Sequence, residues 1–308
     1  FDSEQLQTLE RCGLRRFSLG VQDFDERVQR IVHRNQSEAS VRQTARAIRE
    51  VPGAKINFDL IYGLPGQTLD SFNKSIEKTL DLRPDRVALY GYAHVRGKVK
   101  VQRALEKWHM PTAAERLEMF ASALVMFRSQ GYRYIGLDHF ALPEDDLIQA
   151  LDHGTLRRNF MGYTEQSGNG LLALGLSAIS DTGRFIVQKH LTLQDYERLL
   201  QMQELPIARV IERSHEDVIR AYCIEALMCR RKLTLSELHA NFGEEPLLRQ
   251  IYSQAQFRLQ RDVPAHLVQA GDRELLVTER GALFLRFIAS TFDAYLENHG
   301  ASSFSAAM

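Results

Sequence analysis

The chain holds 308 residues, 44% hydrophobic and 25% charged, with 39 basic and 39 acidic side chains. That composition is ordinary for a soluble globular protein, and a net charge of zero gives no sign of a polyanion-binding protein, although a local basic patch can hide within it. No apolar run approaches the roughly 18–20 residues that span a bilayer, and the first residues have neither the basic n-region nor the apolar h-region of a signal peptide, so a cytoplasmic location is expected.

The pattern opens inside a helix, Ser3 to Cys12, with no initiator Met, which reads as a cut end. Next, Phe17-Ser18-Leu19-Gly20-Val21-Gln22-Asp23-Phe24 predicts a short apolar strand that stops at Gly20 and presents an amide, Gln22, and a carboxylate, Asp23, at its end. Ser37 caps a helix with an apolar face of Val41, Ala45 and Ile48. Ile56 to Gly63 is a second strand, running into Leu64-Pro65-Gly66-Gln67-Thr68. Thr68 starts a helix with Leu69, Phe72, Ile76 and Leu80 on one side, and Arg86 to His94 is a third strand. Thr112 and Glu115 form a capping box before a stripe of Leu117, Phe120, Leu124 and Phe127, and Gly131 ends that helix. Tyr132 to Phe140 is the fourth strand. Strands alternating with helices and carrying polar groups predict a parallel α/β barrel with its site at the strands' C-terminal mouth. Four strands cannot close a barrel, so earlier strands are expected.

Residues 141–190 change character, with a loop region around Thr155–Thr164 and Ser167-Gly168-Asn169-Gly170, then the small and apolar run Leu171 to Ser180. The last third is mostly helical. Ser214 and Asp217 approximate a capping box for a helix carrying Val218, Tyr222 and Leu227, and Leu233 to His239 begins a short helix. A hairpin over His266–Gln269 and Glu274–Thr278 precedes a helix from Gly281 to Glu297. Helix, helix, hairpin, helix is a winged-helix-like layout, and Ala301 to Met308 reads as a frayed tail. The expected divisions are 1–140 for the second half of the barrel, 141–190 for a loop and substrate-side region, and 191–308 for a helical C-terminal domain.

The cysteines Cys12, Cys223 and Cys229 form no disulfide framework, which suits a reducing compartment. No CxxC or CxxxCxxC run is present, Cys223 and Cys229 read as buried apolar thiols on different sides of one helix, and no metal ligand is expected. Among polar residues, Gln22 and Asp59 stand out because polar groups on inward-facing barrel strands are costly to bury unpaired. Arg34 alone reads as a surface ion pair. Asp138-His139, at a strand end, is either a structural pair fixing the loop or a substrate contact. Arg157 and Arg158 form a basic pair of the kind that usually lies on a solvated face.

These segments resemble the oxygen-independent coproporphyrinogen III oxidases, radical S-adenosylmethionine enzymes of haem synthesis. The resemblance rests on Ser18-Leu19-Gly20-Val21-Gln22-Asp23-Phe24, on Asp59-Leu60-Ile61-Tyr62-Gly63-Leu64-Pro65 with Gln67-Thr68, and on Pro84-Asp85-Arg86 with Tyr92-Ala93-His94. It continues through Gly136-Leu137-Asp138-His139-Phe140-Ala141, Arg158-Asn159-Phe160 with Gly162-Tyr163-Thr164, and Ser177-Ala178-Ile179-Ser180, and weakens beyond about residue 190. It implies the C-terminal part of a partial (β/α)6 TIM-like radical SAM barrel, followed by the winged-helix-like domain. Family members carry a CxxxCxxC loop holding a 4Fe-4S cluster after their first strand, so the chain is expected to be a C-terminal fragment without that loop. Met161 stands where the family has a glutamine, and Arg96-Gly97-Lys98 also departs from the pattern.

By resemblance, Gln22, Arg34, Asp59, Ala93 and Ile179 match positions that contact S-adenosylmethionine. Arg158, Asn159 and Tyr163, with Asp138 and His139, are the candidate substrate contacts. The implied reaction is oxidative decarboxylation of coproporphyrinogen III to protoporphyrinogen IX, with two propionates becoming vinyl groups through a 5′-deoxyadenosyl radical. The expected cofactors are S-adenosylmethionine and a 4Fe-4S cluster with ligands outside this chain. The expected partners are the substrate and an electron donor, with no nucleic acid, no membrane and a monomeric state. A haem-chaperone-like paralogue without decarboxylase activity is the alternative that Met161 keeps open. A nucleic-acid module is disfavoured because Gln254 to Arg261 offers only Arg258 and Arg261 as basic residues.

Overall fold

The structure, a computed structural model, describes residues 3–94, 100–159, 161–165 and 170–296. Arg96-Gly97-Lys98, Phe160, Ser167-Gly168-Asn169 and the tail from Ala301 lie outside the described residues. Two compact units divide the chain, residues 1–153 with 295–308, and residues 154–294. The fold is mixed α/β.

The first unit begins with α1 (Ser3–Arg11), β1 (Arg16–Gln22), α2 (Glu26–Ile31), α3 (Glu38–Arg49) and β2 (Lys55–Tyr62). It continues with α4 (Leu69–Leu82), β3 (Arg86–Gly91), α5 (Lys100–Arg103), α6 (Ala113–Ser129), β4 (Arg133–Gly136), β5 (His139–Ala141) and α7 (Asp146–Asp152). The sheet order is β1-β2-β3-β5-β4, and β1, β2 and β3 are parallel. Burial alternates along β2, with Ile56, Phe58, Leu60 and Tyr62 inside and Lys55, Asn57, Asp59 and Ile61 on the more open face. Period-two alternation of this kind positions a polar row over an apolar one.

The capping residues act as the sequence indicates. Ser37 accepts from the Ser40 amide, while Thr68 and Thr112 complete capping boxes with Ser71 and Glu115. The stripe on α6 is displaced, however. Met119, Phe120, Ala123 and Phe127 are buried, while Leu117 is 51% exposed. A larger difference concerns the fourth strand. It is broken by a tight turn at Leu137-Asp138, with Leu137 at φ 52°, into β4 and β5, which pair antiparallel. β5 also pairs antiparallel with β3, so the parallel scheme stops after three strands.

The second unit contains β6 (Arg157–Asn159), β7 (Gly162–Thr164), β8 (Ile179–Asp181), β9 (Phe185–Lys189), α8 (Leu193–Gln201) and β10 (Ile207–Glu212). Then come α9 (His215–Arg230), β11 (Lys232–Thr234), α10 (Leu235–Phe242), α11 (Pro246–Asp262), β12 (Val268–Ala270), β13 (Glu274–Val277) and α12 (Leu285–Ser290). The hairpin β6–β7 lies in the stretch expected to be loop, and β8, β9 and β10 form an antiparallel sheet that the pattern did not indicate. Ser214 caps α9 in a box with Asp217. The buried side of α9 is Ile219, Cys223, Ala226 and Leu227, while Val218 is 38% exposed, unlike the expected face. β12 and β13 are the expected hairpin, completed by β11. The expected long helix after it is instead a 3-10 turn, Gly281–Phe284, and the short α12. No helix among the described residues is long and apolar enough to cross a membrane.

Candidate functional site

β1 and β2 hold the first cluster. In register, Ser18 lies beside Asn57 and Gly20 beside Asp59. Ser18 Oγ donates to Asp59 Oδ2 at 2.9 Å, and Asn57 Nδ2 donates to Ser18 Oγ and to Asp59 Oδ1, both at 2.8 Å. These bonds fix the carboxylate's plane and leave further lone pairs on its oxygens. The register slips between Gly20 and Gln22, and Gln22 adopts φ 67°. A left-handed glutamine is uncommon, and such outliers gather at functional sites. Arg34 follows another left-handed residue, His33, and its Nη2 donates to the Gly20 carbonyl. A Cβ added at Gly20 would meet Gln22 Nε2 at 2.9 Å and Arg34 Nη2 at 3.2 Å, so the missing side chain lets both polar groups converge there. Arg34 Nε and Asn57 Oδ1 are buried without a hydrogen-bond partner.

A second network in the first unit is fully committed. Asp23 is 1% exposed and accepts from the Asp25 amide at 2.6 Å, from Ser75 Oγ at 2.7 Å and from Gln67 Nε2. Burial pushes its carboxyl above the usual range, although those hydrogen bonds pull the other way. The Gln67 side chain, wholly buried, accepts from the Gly63 and Leu64 amides at 2.6 and 3.1 Å. Asp23 and Gln67 thus tie the end of β1 to the turn after β2, and Asp23 is structural.

Ala93 follows β3 and is exposed, and its carbonyl accepts from Gln102 Nε2 at 2.9 Å. The Asp138 carbonyl accepts from the Leu89 amide at 2.6 Å, and the His139 ring meets Tyr90 edge-on at 6.4 Å. Asp138-His139 therefore sits against β3. Residues that the sequence did not single out also gather here. Tyr92 OH, His94 Nδ1 and Arg116 Nε are buried and unpartnered. Tyr92 and His94 fell inside a quoted motif, but Arg116, in the first turn of α6, left no sequence signal.

In the second unit, Ile179 starts β8, half-buried opposite Gln188. Arg158, Asn159 and Tyr163 share the β6–β7 hairpin, with Arg158 opposite Tyr163 and its guanidinium 6.0 Å from that ring's centre. Tyr163 OH donates to the Met228 carbonyl at 3.0 Å, and Asn159 Oδ1 accepts from the Met161 amide at 2.8 Å. Arg158 and Asn159 border a cavity of about 490 Å3 lined also by Tyr222, Ile224, Met228 and Phe242. Met161 is 80% exposed on the hairpin turn. Arg258 donates to the Thr291 and Asp293 carbonyls and Arg261 pairs with Asp262, so these two basic residues of α11 are occupied internally.

Comparison with known proteins gives these arrangements a context. Residues 1–79 match the Radical SAM superfamily. The oxygen-independent coproporphyrinogen III oxidase of Pseudomonas aeruginosa is 36% identical over 99% of the chain, and that of Escherichia coli K12 is 34% identical over 94%. The solved structure of coproporphyrinogen III oxidase (HemN) from E. coli, a radical SAM enzyme, superposes with a TM-score of 0.89 at 33% identity, covering 96% of this chain and 68% of its own. The chain belongs to the oxygen-independent coproporphyrinogen III oxidase family. It spans 66% and 63% of the lengths of the two curated relatives.

Within that family, the residues present fit S-adenosylmethionine. Gly20 leaves a cradle that a Cβ would fill, Arg34 keeps a buried donor unpaired, and Asp59, opposite Gly20 in register, offers acceptor capacity. They do not fit an iron–sulfur cluster. Cys12 is exposed in the first unit, Cys223 and Cys229 are buried in the second, and burial pushes both buried thiols up to about 12. A cluster needs accessible thiolates, and among the described residues no group of three His, Cys, Asp or Glu could hold a metal ion.

Proposed function

We propose that this chain carries most of the cofactor-binding and substrate-binding surface of an enzyme that oxidatively decarboxylates coproporphyrinogen III. The observation that carries the reading is the convergence of Gln22 and Arg34 on Gly20, whose register partner on β2 is Asp59, in a chain aligned along almost its whole length with the E. coli enzyme. We read β1–β3 and their helices as part of a (β/α)6 radical SAM barrel, and α9 to β13 as a winged-helix-like module.

In this reading Asp59 accepts hydrogen bonds from a ribose hydroxyl or an ammonium group, and Arg34 faces a carboxylate. Gln22 both donates and accepts. Ala93 and Ile179 add backbone groups and an apolar wall. When bound, S-adenosylmethionine supplies the hydrogen-abstracting radical. The protein's own part is orientation and exclusion of water. Arg158 is the charged member of a carboxylate clamp, with Asn159 holding the hairpin turn and Tyr163 packed under the guanidinium. Asp138 and His139 are the proposed substrate contacts of the first unit. Each reacting propionate loses a hydrogen atom, carbon dioxide and one electron, leaving a vinyl group, and the electron passes to an acceptor outside this chain.

The test joins the chain to the N-terminal third of a curated relative and supplies S-adenosylmethionine, a reductant and coproporphyrinogen III without oxygen. The expected product is protoporphyrinogen IX, with two vinyl groups formed. Release of 5′-deoxyadenosine with no vinyl product, together with stoichiometric haem binding, would shift the reading to a haem-handling paralogue.

A further inference from the structure

Where β2 and β3 end, a cavity of about 500 Å3 is lined by Gly63, Tyr92, His94, Glu106, Met110 and Arg116. Its volume falls within the range of small-ligand pockets. Tyr92 stays beside β2 because its amide donates to the Tyr62 carbonyl at 2.8 Å. Arg116 reaches across from α6, its guanidinium 6.0 Å from the centre of the Tyr62 ring. Two glycines make room for that reach. A Cβ at Gly63 would stand 3.0–3.1 Å from the Arg116 side chain, and one at Gly91 would stand 3.1 Å from its Nη2.

We infer that this cavity is a binding pocket for a single carboxylate group, with Arg116 as its cationic partner. Three buried polar atoms, Arg116 Nε, Tyr92 OH and His94 Nδ1, have no hydrogen-bond partner. Arg116 is half-buried, with its Nε fully enclosed, and makes no ion pair among the described residues. A guanidinium fork matches a carboxylate through two parallel bonds, and a phenol hydroxyl can donate a third. Charge selects a monoanion. The cavity offers one fixed cation, Arg116, while the Glu106 carboxylate on the same wall disfavours a dianion such as phosphate. Glu106 Oε1 lies 3.0 Å from His94 Nε2.

The carboxylate can come from the porphyrinogen, from the methionyl end of S-adenosylmethionine or from a free acid. The first two assignments rest on the proposed function, while the pocket itself does not. The test titrates the 308-residue chain with propionate by ligand-observed NMR, with propionamide as the neutral isostere. Wild type is expected to bind propionate with a Kd on the order of 1–10 mM and to ignore propionamide. Arg116→Met should weaken binding at least roughly tenfold and Arg116→Lys should restore part of it, because a point charge lacks the fork. Tyr92→Phe, which retains the ring packing, should weaken it about threefold if one hydrogen bond is lost. Arg213→Met, a change in the second unit, should leave propionate binding unchanged, which controls for non-specific loss of binding. Displacement of propionate by coproporphyrinogen III, by S-adenosylmethionine or by neither assigns the source. Absence of propionate binding, equal binding of propionamide, or unchanged affinity in both Arg116→Met and Tyr92→Phe would overturn the inference.

Discussion

Arg34, Asn57 and Tyr92 in the first unit each keep a buried polar atom without a hydrogen-bond partner, whereas Asn159, Tyr163 and Arg213 in the second are committed to neighbours in their own unit. Burying an unpaired polar group is costly, and folded chains retain few such groups. We read their number along β1–β3 and the segment after β3 as a surface shaped for a ligand, although His239 Nε2 in the second unit is also buried and unpartnered, while the β6–β7 hairpin has spent most of its capacity on holding its own shape. Residue types alone do not reveal this. Asn57 and Asn159 are the same residue in similar half-buried strands, yet one keeps an idle carbonyl and the other ties a turn.

The largest expected effect tests whether a committed group behaves differently inside the first unit. Asp23→Ala leaves Ser75, Gln67 and the Asp25 amide facing an empty acceptor position, and should destabilise the fold by about 3 kcal/mol. Urea unfolding measures it. A loss no greater than that of Asp59→Ala would erase the distinction between the two networks. Asp59→Ala itself should act chiefly on ligand binding. Equilibrium dialysis should show S-adenosylmethionine affinity weakened by about 1–3 kcal/mol, with a smaller change in unfolding free energy, because Asp59 sits half-open on the strand face. Unchanged affinity would move it to the structural class.

The hairpin gives smaller and opposite expectations. Tyr163→Phe should cost about 1 kcal/mol of stability by orphaning the Met228 carbonyl and leave substrate affinity near wild type. Arg158→Met should do the reverse, raising the porphyrinogen concentration needed in the joined protein while uncoupled 5′-deoxyadenosine release persists. Because Arg158 is exposed, its charge is screened and the expected loss is about 1 kcal/mol. If both products fall together in Arg158→Met, the arginine is structural.

Much of this arrangement was legible in the chain. Ser37, Thr68, Thr112 and Ser214 announce four helices because capping is local chemistry, read within a four-residue window. The polar row on β1 and β2 follows from period-two alternation. The break at Leu137-Asp138 was not legible, because a left-handed leucine carries no turn signature and only pairing with β3 rewards it. Arg116 was not legible either. A basic residue in a helix's first turn opposes the helix dipole and reads as solvated, and only the fold brings Gly63, Gly91 and Tyr62 around it. The hairpin β6–β7 was hidden by glycine and polar residues that suit a loop equally well.

The smallest effect separates the units by pH. In the second unit Arg213 grips Asp181 with two bonds, Nη1 to Oδ1 at 2.6 Å and Nη2 to Oδ2 at 2.8 Å, and the Gly183 amide donates to the same carboxylate. The Arg213 hydrogen bonds hold the Asp181 carboxyl below its usual 3.8. Asp23 in the first unit is shifted the other way by burial. For Asp181 the folded state favours the charged form, so its contribution is complete above the unfolded value of 3.8 and is lost as pH falls through the lower folded value. For Asp23 the folded state favours the neutral form, so stability from this group is present below 3.8 and is lost as pH rises through its raised folded value. Arg213→Met should therefore lower stability at neutral pH by less than about 1 kcal/mol, since the pair is partly exposed and screened. The gap to wild type should close as acid protonates Asp181. Urea midpoints for both proteins from neutral pH to below 3.8 measure the gap. A gap that stays constant through that range would mean that Arg213 stabilises β8 by packing, and that the second unit's charge pairs contribute nothing to its acid limb.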